Sequence, residues 1–473
     1  MRDRAERLAL LERSRLYVIG PAELRAGRLA DLIPALAAAG ATVFQLRDRS
    51  LSSAALLEEA RACAAAAAAS GALLIVNDDP ALAAAADADG VHLGQEDGAI
   101  AWARGIVGSD RIVGRTSRGG AMLAAAADEG ADYASVSPLW ATPTKPDREP
   151  TGLGAAIDAV RDARMPWFAL GGLDAARVRR LGAIGASRVA AVREIAEADD
   201  PAAAVAGLLA ALDANPRVLA IAGSDSGGGA GIQADIKAIA AAGGFPMTAV
   251  TALTAQSTVG VAAVHAVPAP FVVAQARAAI DDLGLDAVKT GMLGSADVVE
   301  AAAEVVAGLD PTLLVPVVVD PVLRAESGAP LLADDALAAL RDRLLPLATV
   351  CTPNLMEAQA LAGIDSDDAA HLAACLHERA GCAVIVTGGH GPSSADALHD
   401  AAGALAIPGP RHAVGTTHGA GCTFAATLAT LLGGGMPLRE AAARAKAVAA
   451  GAVLHGRDYG AGAGPVDVTR WDR

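Results

Sequence analysis

A single cysteine, Cys422, follows a glycine-rich turn in the segment 'THGAGCTF', directly before a predicted helix. Glycines let the backbone turn its N–H groups inward, and the following helix adds the positive end of its dipole, so that this turn favours a bound anion such as a phosphoryl group. A helix N-terminus also lowers the pKa of a thiol, and Cys422 could then accept a proton from an attacking hydroxyl. The alternative is a small buried thiol on a tight turn.

Two further groups of residues accompany this turn in the second half of the chain. The segment 'AGSDSGGGAGIQAD' is another glycine-rich turn before a helix, and it ends at Asp235. In 'TPNLMEA', Asn354 and Glu357 begin a helix, where a carboxylate can hold Mg²⁺ through water; a simple capping box is the alternative. Gly388 and Gly389 end a strand in 'AVIVTGG'. We expect these groups at the edge where open α/β sheets bind ligands.

The first half of the chain carries polar residues and glycines at the ends of short apolar runs. They are Gln45, Arg47, Asn77, Asp78, Asp97, Thr142, Thr144, Lys145, Gly171 and Gly172. Taken singly, each has an ordinary explanation: Asp78 could cap a helix, Arg47 could form a surface ion pair, and 'ATPTKP' could be a rigid loop. Taken together, cations, hydroxyls and two carboxylates suit a magnesium diphosphate, with the aspartates on the metal.

Eight apolar runs that alternate with helical segments must position this first set. They are 'RLYVIG', 'TVFQLR', 'LLIVND', 'GVHLG', 'RIVGR', 'YASVSP', 'WFALGG' and 'SRVAAV'. Eight β/α units in about 200 residues predict one (β/α)8 TIM barrel, whose functional residues follow the C-terminal ends of the strands. We assign residues 1–213 to this barrel.

The second half has a different order of elements. A strand, a glycine-rich turn and a helix come first, followed by strands at 'MTAVTAL', 'DAVKTGM', 'LLVPVVVDP', 'TVCTPN' and 'AVIVTGG'. This order predicts a doubly wound α/β/α domain over residues 217–473. The Asn-Pro pair at 215–216 breaks the preceding helix and places the boundary there.

Composition limits the partners. The 473 residues carry a formal net charge of −15, which argues against nucleic acid and anionic membranes. No apolar run is long enough to span a bilayer, and the apolar centre of the N-terminal segment is too short for a signal peptide, so we expect a cytoplasmic protein. Five cysteines without a CxxC spacing predict neither disulfides nor zinc. We expect small-molecule substrates and a homo-oligomer.

From about residue 217 to 455 the chain resembles the hydroxymethylpyrimidine and phosphomethylpyrimidine kinases of thiamine biosynthesis, within the ribokinase-like superfamily. The resemblance rests on 'AGSDSGGGAGIQADIK', 'VTALTAQSTVGV', 'KTGML', 'VVVDPV', 'TPNLMEA', 'TGGH' and 'THGAGCTF'. It implies that Cys422 is the base on the substrate hydroxyl and that the backbone amides from Gly419 through Ala420 and Gly421 to Cys422 form an anion hole. It also implies pyrimidine contacts and an ATP site, formed respectively by Asp235, Gln256 and Met292, and by Asn354, Glu357, Gly388 and Gly389.

From about residue 16 to 213 the chain resembles thiamine phosphate synthase, through 'QLRDR', 'IVNDD', 'GVHLGQED', 'ATPTKP' and 'ALGGL'. The resemblance implies that Gln45, Arg47, Asn77 and Lys145 hold a pyrimidine diphosphate, with Asp78 and Asp97 on Mg²⁺. It also implies that diphosphate leaves before the thiazole nitrogen attacks. Such a step needs stabilisation of the leaving group, which explains why this half has no obvious nucleophile.

Three residues of the first half depart from the pattern of that family. Arg49 replaces a lysine, Thr116 stands where serine is expected, and Arg193 stands where a serine follows the eighth strand. Because a guanidinium matches a phosphate with several donors, we predict that Arg193 contacts the thiazole phosphate. The alternative is an ion pair with Glu194 or Glu197.

These features predict a bifunctional thiamine-pathway enzyme with Mg²⁺ as cofactor and ATP as co-substrate. Its second domain would phosphorylate hydroxymethylpyrimidine and its monophosphate, and its first domain would join the diphosphate to thiazole phosphate. Two alternatives keep the kinase and change the barrel. The barrel could be related to thiazole tautomerases, or it could bind thiamine phosphate without catalysis and regulate the kinase.

Overall fold

The structure is a computed structural model, and it describes residues 2–143, 147–213, 215–325, 328–333, 335–388, 395–410, 412 and 414–470. The chain divides into two compact units, Met1–Ala214 and Asn215–Arg473. Three predicted site residues, Thr144, Lys145 and Gly389, lie outside the described residues.

The first unit contains a closed barrel of eight parallel strands, so the predicted (β/α)8 barrel is confirmed. All eight apolar runs form barrel strands, and a short antiparallel hairpin, β2–β3, stands apart. The strands are β1 (Leu16–Gly20), β2 (Glu23–Leu24), β3 (Gly27–Arg28), β4 (Val43–Leu46), β5 (Leu73–Asn77), β6 (Gly90–Leu93), β7 (Ile112–Ser117), β8 (Tyr133–Val136), β9 (Trp167–Leu170) and β10 (Val189–Ala191).

Within the described part of this unit, ten helices accompany these strands. Aspartate N-caps begin several of them; Asp79 and Asp200, for example, each precede a proline at the first helical position. The alanine-rich segment after Ser52 is the helix α3. The helices are α1 (Arg4–Arg13), α2 (Leu29–Ala38), α3 (Ser53–Ala69), α4 (Pro80–Ala85), α5 (Ile100–Val107), α6 (Gly120–Asp128), α7 (Gly152–Asp162), α8 (Ala175–Ala183), α9 (Arg193–Ala196) and α10 (Pro201–Leu212).

Helix α1 closes the barrel at the N-terminal ends of the strands. Leu11 packs into a core of inward-facing strand residues, which include Tyr17 and Phe168. On the same helix, Arg7 is buried and donates from Nε to Asp89 Oδ1 at 2.9 Å, while Asp89 Oδ2 accepts the backbone N–H of Leu74 at 3.0 Å. This closed end leaves the C-terminal ends of the strands as the open mouth.

The second unit is built on a nine-stranded sheet. Six parallel strands form its centre, in the spatial order β12-β11-β14-β15-β16-β17, and three antiparallel strands extend its edges. The strands are β11 (Arg217–Asp225), β12 (Phe245–Ser257), β13 (Gly260–Ala266), β14 (Ala287–Thr290), β15 (Val317–Val319), β16 (Val350–Cys351), β17 (Ala383–Val386), β18 (Asp396–Asp400) and β19 (Gly403–Ile407).

Helices cover both faces of this sheet, as the predicted doubly wound arrangement requires. α12 to α16 pack on one face, and α11, α17 and α18 pack on the other. The helices are α11 (Gly231–Ala241), α12 (Ala269–Leu283), α13 (Ala296–Ala307), α14 (Ala336–Ala339), α15 (Leu355–Ala362), α16 (Ala369–Ala380), α17 (Ala420–Gly433) and α18 (Leu438–Leu454), with short 3₁₀ or π turns at Pro311–Leu313, Leu340–Leu344, Leu345–Leu347 and Val468–Arg470. Among the described residues, no helix is both long and apolar enough to cross a membrane.

The order of the strands reverses between β11 and β14. The chain passes from β11 to β12 on one side and then returns to place β14 on the other side of β11. In an open α/β sheet, a crevice forms outside the carboxyl ends of two such strands and is the usual ligand site. The glycine-rich turn after β11 lies at this point.

The closed end of the barrel predicts a large stability effect for one carboxylate. Asp89→Ala should lower the free energy of unfolding by about 3–5 kcal/mol, because it leaves the buried guanidinium of Arg7 without its charged partner. Urea unfolding followed by tryptophan fluorescence measures this effect, since Trp102, Trp140 and Trp167 all lie in this unit.

The matched control removes an exposed ion pair of the same unit. Asp199 pairs with Arg25 at 2.8 Å, and the two side chains are 85% and 63% exposed. Asp199→Ala should therefore cost less than about 1 kcal/mol. Equal losses in the two variants would contradict a structural role for Asp89 at the closed end.

Candidate active sites

A cavity of about 440 Å³ opens at the mouth of the barrel. Every described residue that the sequence assigned to this half lines it: Gln45, Arg47, Arg49, Asn77, Asp78, Asp97, Thr116, Thr142, Gly171, Gly172 and Arg193. They follow or end seven of the eight barrel strands. Strand direction alone therefore brings the whole set to one place.

Two carboxylates, Asp78 and Asp97, lie side by side in this cavity. Burial raises the pKa of Asp78 to about 6, and its hydrogen bond and charge interaction with Asp97 add to the rise, while Arg47 opposes it. Asp97 Oδ2 also accepts the backbone N–H of Gly94 at 2.7 Å. Adjacent oxygen donors with excess negative charge suit Mg²⁺, which binds through one or two carboxylates together with substrate phosphates.

The local backbone separates Asp78 from an ordinary capping role. Asp78 has φ +63°, a left-handed conformation that aspartate tolerates. The next residue, Asp79, is the N-cap of α4, and its Oδ1 accepts the N–H of Leu82 at 2.9 Å. The alternative that Asp78 caps a helix is therefore wrong, and its carboxylate faces the cavity instead.

Positive charge lies around the mouth. Arg118 and Arg148 line the cavity together with the three predicted arginines. Arg118 donates to the carbonyl oxygen of Glu149 at 2.9 Å, and Arg148 pairs with Glu96 at 2.6 Å. An anion can therefore meet cations from several directions at this rim.

Arg193 is exposed at the start of α9 and reaches this cavity. Within residues 147–213, which the structure describes, it forms no ion pair with Glu194 or Glu197. The surface-pair alternative has no support in the structure. The guanidinium is available to a ligand.

A chain of buried hydrogen bonds crosses the barrel beneath the mouth. Gln45 Nε2 donates to Tyr17 Oη at 2.5 Å, and the hydroxyls of Tyr17 and Tyr133 are 3.0 Å apart. His92 then joins Tyr133 Oη through Nδ1 at 3.1 Å and Thr116 Oγ1 through Nε2 at 3.0 Å. These hydrogen bonds beneath the mouth hold the side chains of Gln45 and Thr116, two predicted substrate contacts, in place.

In the second unit, the two glycine-rich turns contact each other. His418 Nε2 lies 2.9 Å from Asp225 Oδ2, and the same oxygen accepts the N–H groups of Gly229 and Ala230. Burial alone would raise the pKa of Asp225, but these hydrogen bonds hold it below its ordinary value. At Gly419, a Cβ would lie 1.8 Å from the carbonyl oxygen of Gly229, and φ is +90°. The turns pack backbone against backbone, which only glycine permits here.

Cys422 lies in the first turn of α17, as predicted. Its thiol accepts the backbone N–H of Gly231, the first residue of α11, so that two helix N-termini converge on it. The expected low pKa is wrong: burial raises the pKa of the thiol to about 12, and the charge of Lys289 only partly opposes this rise. Loss of water around the thiolate outweighs the helix dipoles.

The structure leaves fewer backbone amides for an anion than the sequence predicted. The N–H of Ala420 already donates to the carbonyl oxygen of Thr417 at 3.0 Å. Gly419 is the N-cap of α17 and has no side chain to satisfy the helix. The N–H groups of Gly421 and Cys422 belong to the helix N-terminus, which has no intrahelical acceptors for them. These two amides remain for an anion.

Two of the predicted pyrimidine contacts adjoin the turn after β11. Gln256 is fastened to it through Ser226, whose Oγ accepts the N–H of Gln256 and donates to its carbonyl oxygen, both at 2.8 Å. Met292 is held by β12, because Thr251 Oγ1 donates to its carbonyl oxygen at 2.6 Å. Its sulfur would lie 2.8 Å from a Cβ at Gly223.

Asp235 does not join this pocket surface. Its side chain is fully buried and pairs with Lys289 Nζ at 2.9 Å. Burial raises the pKa of Asp235, although Lys289 opposes this effect. The carboxylate therefore lies behind the pocket, in contact with a cation rather than with open space.

At Asn354 and Glu357 the structure contains the capping box. Asn354 Oδ1 accepts the N–H of Glu357 at 3.0 Å, and Glu357 Oε2 accepts the N–H of Asn354 at 2.9 Å. The other oxygen of Glu357 accepts the N–H of Leu323 at 3.3 Å. The N–H of Gly388 donates to Asp396 Oδ1 at 2.7 Å. These bonds occupy part of the hydrogen-bonding capacity of the residues that were expected to bind ATP and its metal.

Sequence reasoning missed three residues of the second site: Asp225, His418 and Lys289. Asp225 and His418 are 193 residues apart, and each stands in a motif where the glycines drew attention first. Lys289 stands inside an apolar strand, 'DAVKTGM'. A lysine in a buried strand is rare enough to signal a buried partner.

Comparison with known proteins gives a separate match for each unit. The family of phosphomethylpyrimidine kinase matches residues 225–467, and that of thiamine monophosphate synthase matches residues 16–195. The thiamine biosynthesis bifunctional protein ThiED of Geobacter sulfurreducens is 37% identical over 451 residues, which cover 92% of this chain and 91% of that protein.

Two further relatives match the second unit. The hydroxymethylpyrimidine/phosphomethylpyrimidine kinase of Streptomyces coelicolor is 45% identical over 261 residues, which cover 53% of this chain and 94% of that protein. The crystal structure of the ADP complex of Bacillus subtilis pyridoxal kinase superposes with a TM-score of 0.50 at 34% identity, covering 54% of this chain and 98% of that one. The second unit therefore has the ribokinase-like fold of these kinases.

The contact between the two glycine-rich turns predicts that alanine disturbs them at one glycine of the motif 'HGAGC' and not at the other. Gly419→Ala should raise hydrogen–deuterium exchange in the peptides around 225–231 and 418–424, because its Cβ would collide with the Gly229 backbone at positive φ. Gly421→Ala is the control, since a Cβ there meets nothing within 4 Å. Unchanged exchange in Gly419→Ala would show that the turns do not depend on this contact.

Proposed function

Because this chain belongs to the family of bifunctional thiamine-biosynthesis proteins, we propose that its two sites catalyse consecutive steps of that pathway. The second unit phosphorylates hydroxymethylpyrimidine and then its monophosphate, with ATP as co-substrate. The first unit joins the resulting diphosphate to thiazole phosphate, forming thiamine phosphate and releasing diphosphate. The observation that best supports this proposal is the gathering of all eleven described barrel residues around one cavity.

In the kinase site, Cys422 acts as the base. Its thiolate takes the proton of the substrate hydroxyl as the hydroxyl oxygen attacks the terminal phosphorus of ATP. A thiol whose pKa burial raises to about 12 is rarely ionised, but its thiolate is strongly basic once formed. The N–H groups of Gly421 and Cys422 stabilise the charge on the transferring phosphoryl group.

Gln256 and Met292 fix the pyrimidine beside that thiol. Ser226, in the turn after β11, holds Gln256. Thr251 of β12 holds Met292 beside Gly223 of β11. The helix that follows the turn begins at the N–H that the thiol accepts, so the ring and the base are both held around the C-terminal end of β11. Positioning of this kind, rather than covalent chemistry, supplies most of the rate in phosphoryl transfer.

In the barrel, the chemistry is departure of a charged leaving group. Arg47 and Asn77 hold the diphosphate together with Lys145, which lies outside the described residues, and Gln45 orients the pyrimidine. Asp78 and Asp97 would hold Mg²⁺, which supplies positive charge to the departing phosphates when bound. The thiazole nitrogen then captures the pyrimidine cation, and Arg193 holds the thiazole phosphate on the opposite side of the mouth.

Reciprocal variants should separate the two activities. Cys422→Ala should slow phosphorylation roughly 10²-fold or more, the usual loss for a positioned base, and leave the barrel reaction unchanged. Asp97→Ala should abolish thiamine phosphate formation from supplied pyrimidine diphosphate and leave ATP consumption with hydroxymethylpyrimidine unchanged. Product chromatography measures both reactions.

Each variant has a matched control. Cys375 is a partly exposed thiol on α16, and Asp199 is an exposed carboxylate paired with Arg25 outside the cavity, so Cys375→Ala and Asp199→Asn should keep both activities. A normal phosphorylation rate in Cys422→Ala would remove Cys422 as the base. A barrel that binds thiamine phosphate but forms none from both substrates would instead be a sensor of that product.

Arg193→Ser tests the assignment of the thiazole phosphate. It should weaken binding by roughly 1.5–3 kcal/mol, about ten- to a hundredfold in dissociation constant. Affinity for the pyrimidine diphosphate should barely change, because that ligand lies near Asp78 and Asp97. Calorimetric titration of each ligand distinguishes the two, and Glu197→Gln is the control for the surface-pair alternative. Equal thiazole phosphate affinity in Arg193→Ser and the parent would refute the contact.

A further inference from the structure

Lys289 is a fully buried cation at the base of the kinase site. Its Nζ lies 2.9 Å from Asp235 Oδ1 and 3.7 Å from Asp320 Oδ2. The side chains of Lys289 and Asp235 have no exposed surface, and that of Asp320 has 8%. Because these side chains have almost no access to water, their charges must be compensated by one another.

Strand alternation places this lysine on the face of β14 that packs against α11 and α17, the helix that carries Cys422. On β14, Ala287 packs in the core beneath α11 and α17, and Lys289, two residues on, shares its face. On β15, Val318 packs in the same core, and Asp320 follows it by two residues. Asp235 reaches the cluster from α11, and Cys422 reaches it from the first turn of α17.

The charges that act on the thiol come from three of the elements around it. Burial raises the pKa of Cys422 most; Lys289 lowers it, and Asp235 and Asp320 raise it by smaller amounts. In the described part of the unit, Lys289 is the cation that acts on this thiol.

We propose that Lys289 is a positioning residue of the kinase site, whose buried ammonium group, held by Asp235 and Asp320, stabilises the thiolate of Cys422 while the substrate hydroxyl is attacked. Lys289 stays protonated throughout and transfers no proton. The thiolate takes the hydroxyl proton, and the ammonium group compensates the thiolate before that transfer. This inference rests on the proposed role of Cys422 as the base.

A purely structural role is the competing explanation. Lys289 would then only tie α11 to β14 and β15 through Asp235 and Asp320. Loss of the lysine would lower stability in that case, but it would not alter the ionisation of Cys422 relative to other thiols. The two explanations therefore differ in a property of the thiol that can be measured without turnover.

The first experiment measures alkylation of individual cysteines in the full chain, by mass spectrometry, as a function of pH. In Lys289→Met, the rate at Cys422 should fall about tenfold or more relative to the parent, as expected when a thiol pKa rises by one unit. Cys375 is the internal reference, because it lies on α16, outside the cluster. An unchanged ratio of the two rates would overturn the proposal.

Two more variants control for the removal of a buried lysine in general and for a failure of Lys289→Met to fold. Lys446 is another largely buried lysine of the same unit, paired with Asp396, and Lys446→Met should leave the rate at Cys422 unchanged. If Lys289→Met does not fold, the double variant Lys289→Met/Asp235→Asn removes the cation together with the carboxylate closest to it. It should also lower the rate at Cys422, and parent-like alkylation in a folded double variant would overturn the proposal.

Kinetics distinguish failure of this inference from failure of the proposed function. In Lys289→Met, kcat for phosphorylation should fall at least tenfold and KM for hydroxymethylpyrimidine should stay within about threefold. The loss in kcat should be the same from neutral to mildly alkaline pH, because the thiol titrates far above that range in both proteins. If Cys422→Ala keeps its rate, the assignment of the base fails. If Cys422→Ala is inactive but Lys289→Met keeps the parent kcat, or raises KM without lowering kcat, only the role of Lys289 fails.

Discussion

Both sites depend on one constraint, which is that parallel strands end on the same edge of their sheet. A barrel of eight such strands has one open mouth, because α1 closes the other end. An open sheet with a reversal between β11 and β14 has one crevice at its carboxyl edge. Residues that follow strand ends therefore meet even when they are distant in the chain, and short polar segments are sufficient to build a site.

The two units handle charge in different ways. In the barrel, arginines line an open mouth and Asp78 and Asp97 lie side by side, an arrangement that suits a ligand bringing phosphates and Mg²⁺ with it. In the second unit, the deepest charges are compensated inside the protein by Lys289, between Asp235 and Asp320. Departure of diphosphate needs cations around a large anion, whereas proton removal by a thiol needs a dry site with a fixed charge.

The sequence predicted much of this arrangement because it depends on local signals. Periodic apolar runs located all eight barrel strands, and their ends located the cavity residues. Contacts between distant turns gave no local signal, so the pair of Asp225 and His418 was not foreseen. The high pKa of Cys422 was misjudged, because the competition between desolvation and helix dipoles depends on burial that only the packed structure reveals. The capping box at Asn354 and Glu357, which the sequence offered as the alternative to a metal ligand, is present. The antiparallel edge strand β13 and the hairpin β18–β19 were also missed. β13 and β19 are rich in alanine and mostly exposed or half-buried, and β18 contains aspartate and histidine, so these strands differ from the Val- and Ile-rich central strands.

The central claim is that one chain carries out phosphorylation and coupling in succession. The most direct test supplies the purified protein with hydroxymethylpyrimidine, ATP, Mg²⁺ and thiazole phosphate, and follows ADP, diphosphate and thiamine phosphate together. The account predicts equal amounts of thiamine phosphate and diphosphate, with one ADP for each of the two phosphoryl transfers. Accumulation of pyrimidine diphosphate, with neither diphosphate nor thiamine phosphate released, would contradict it.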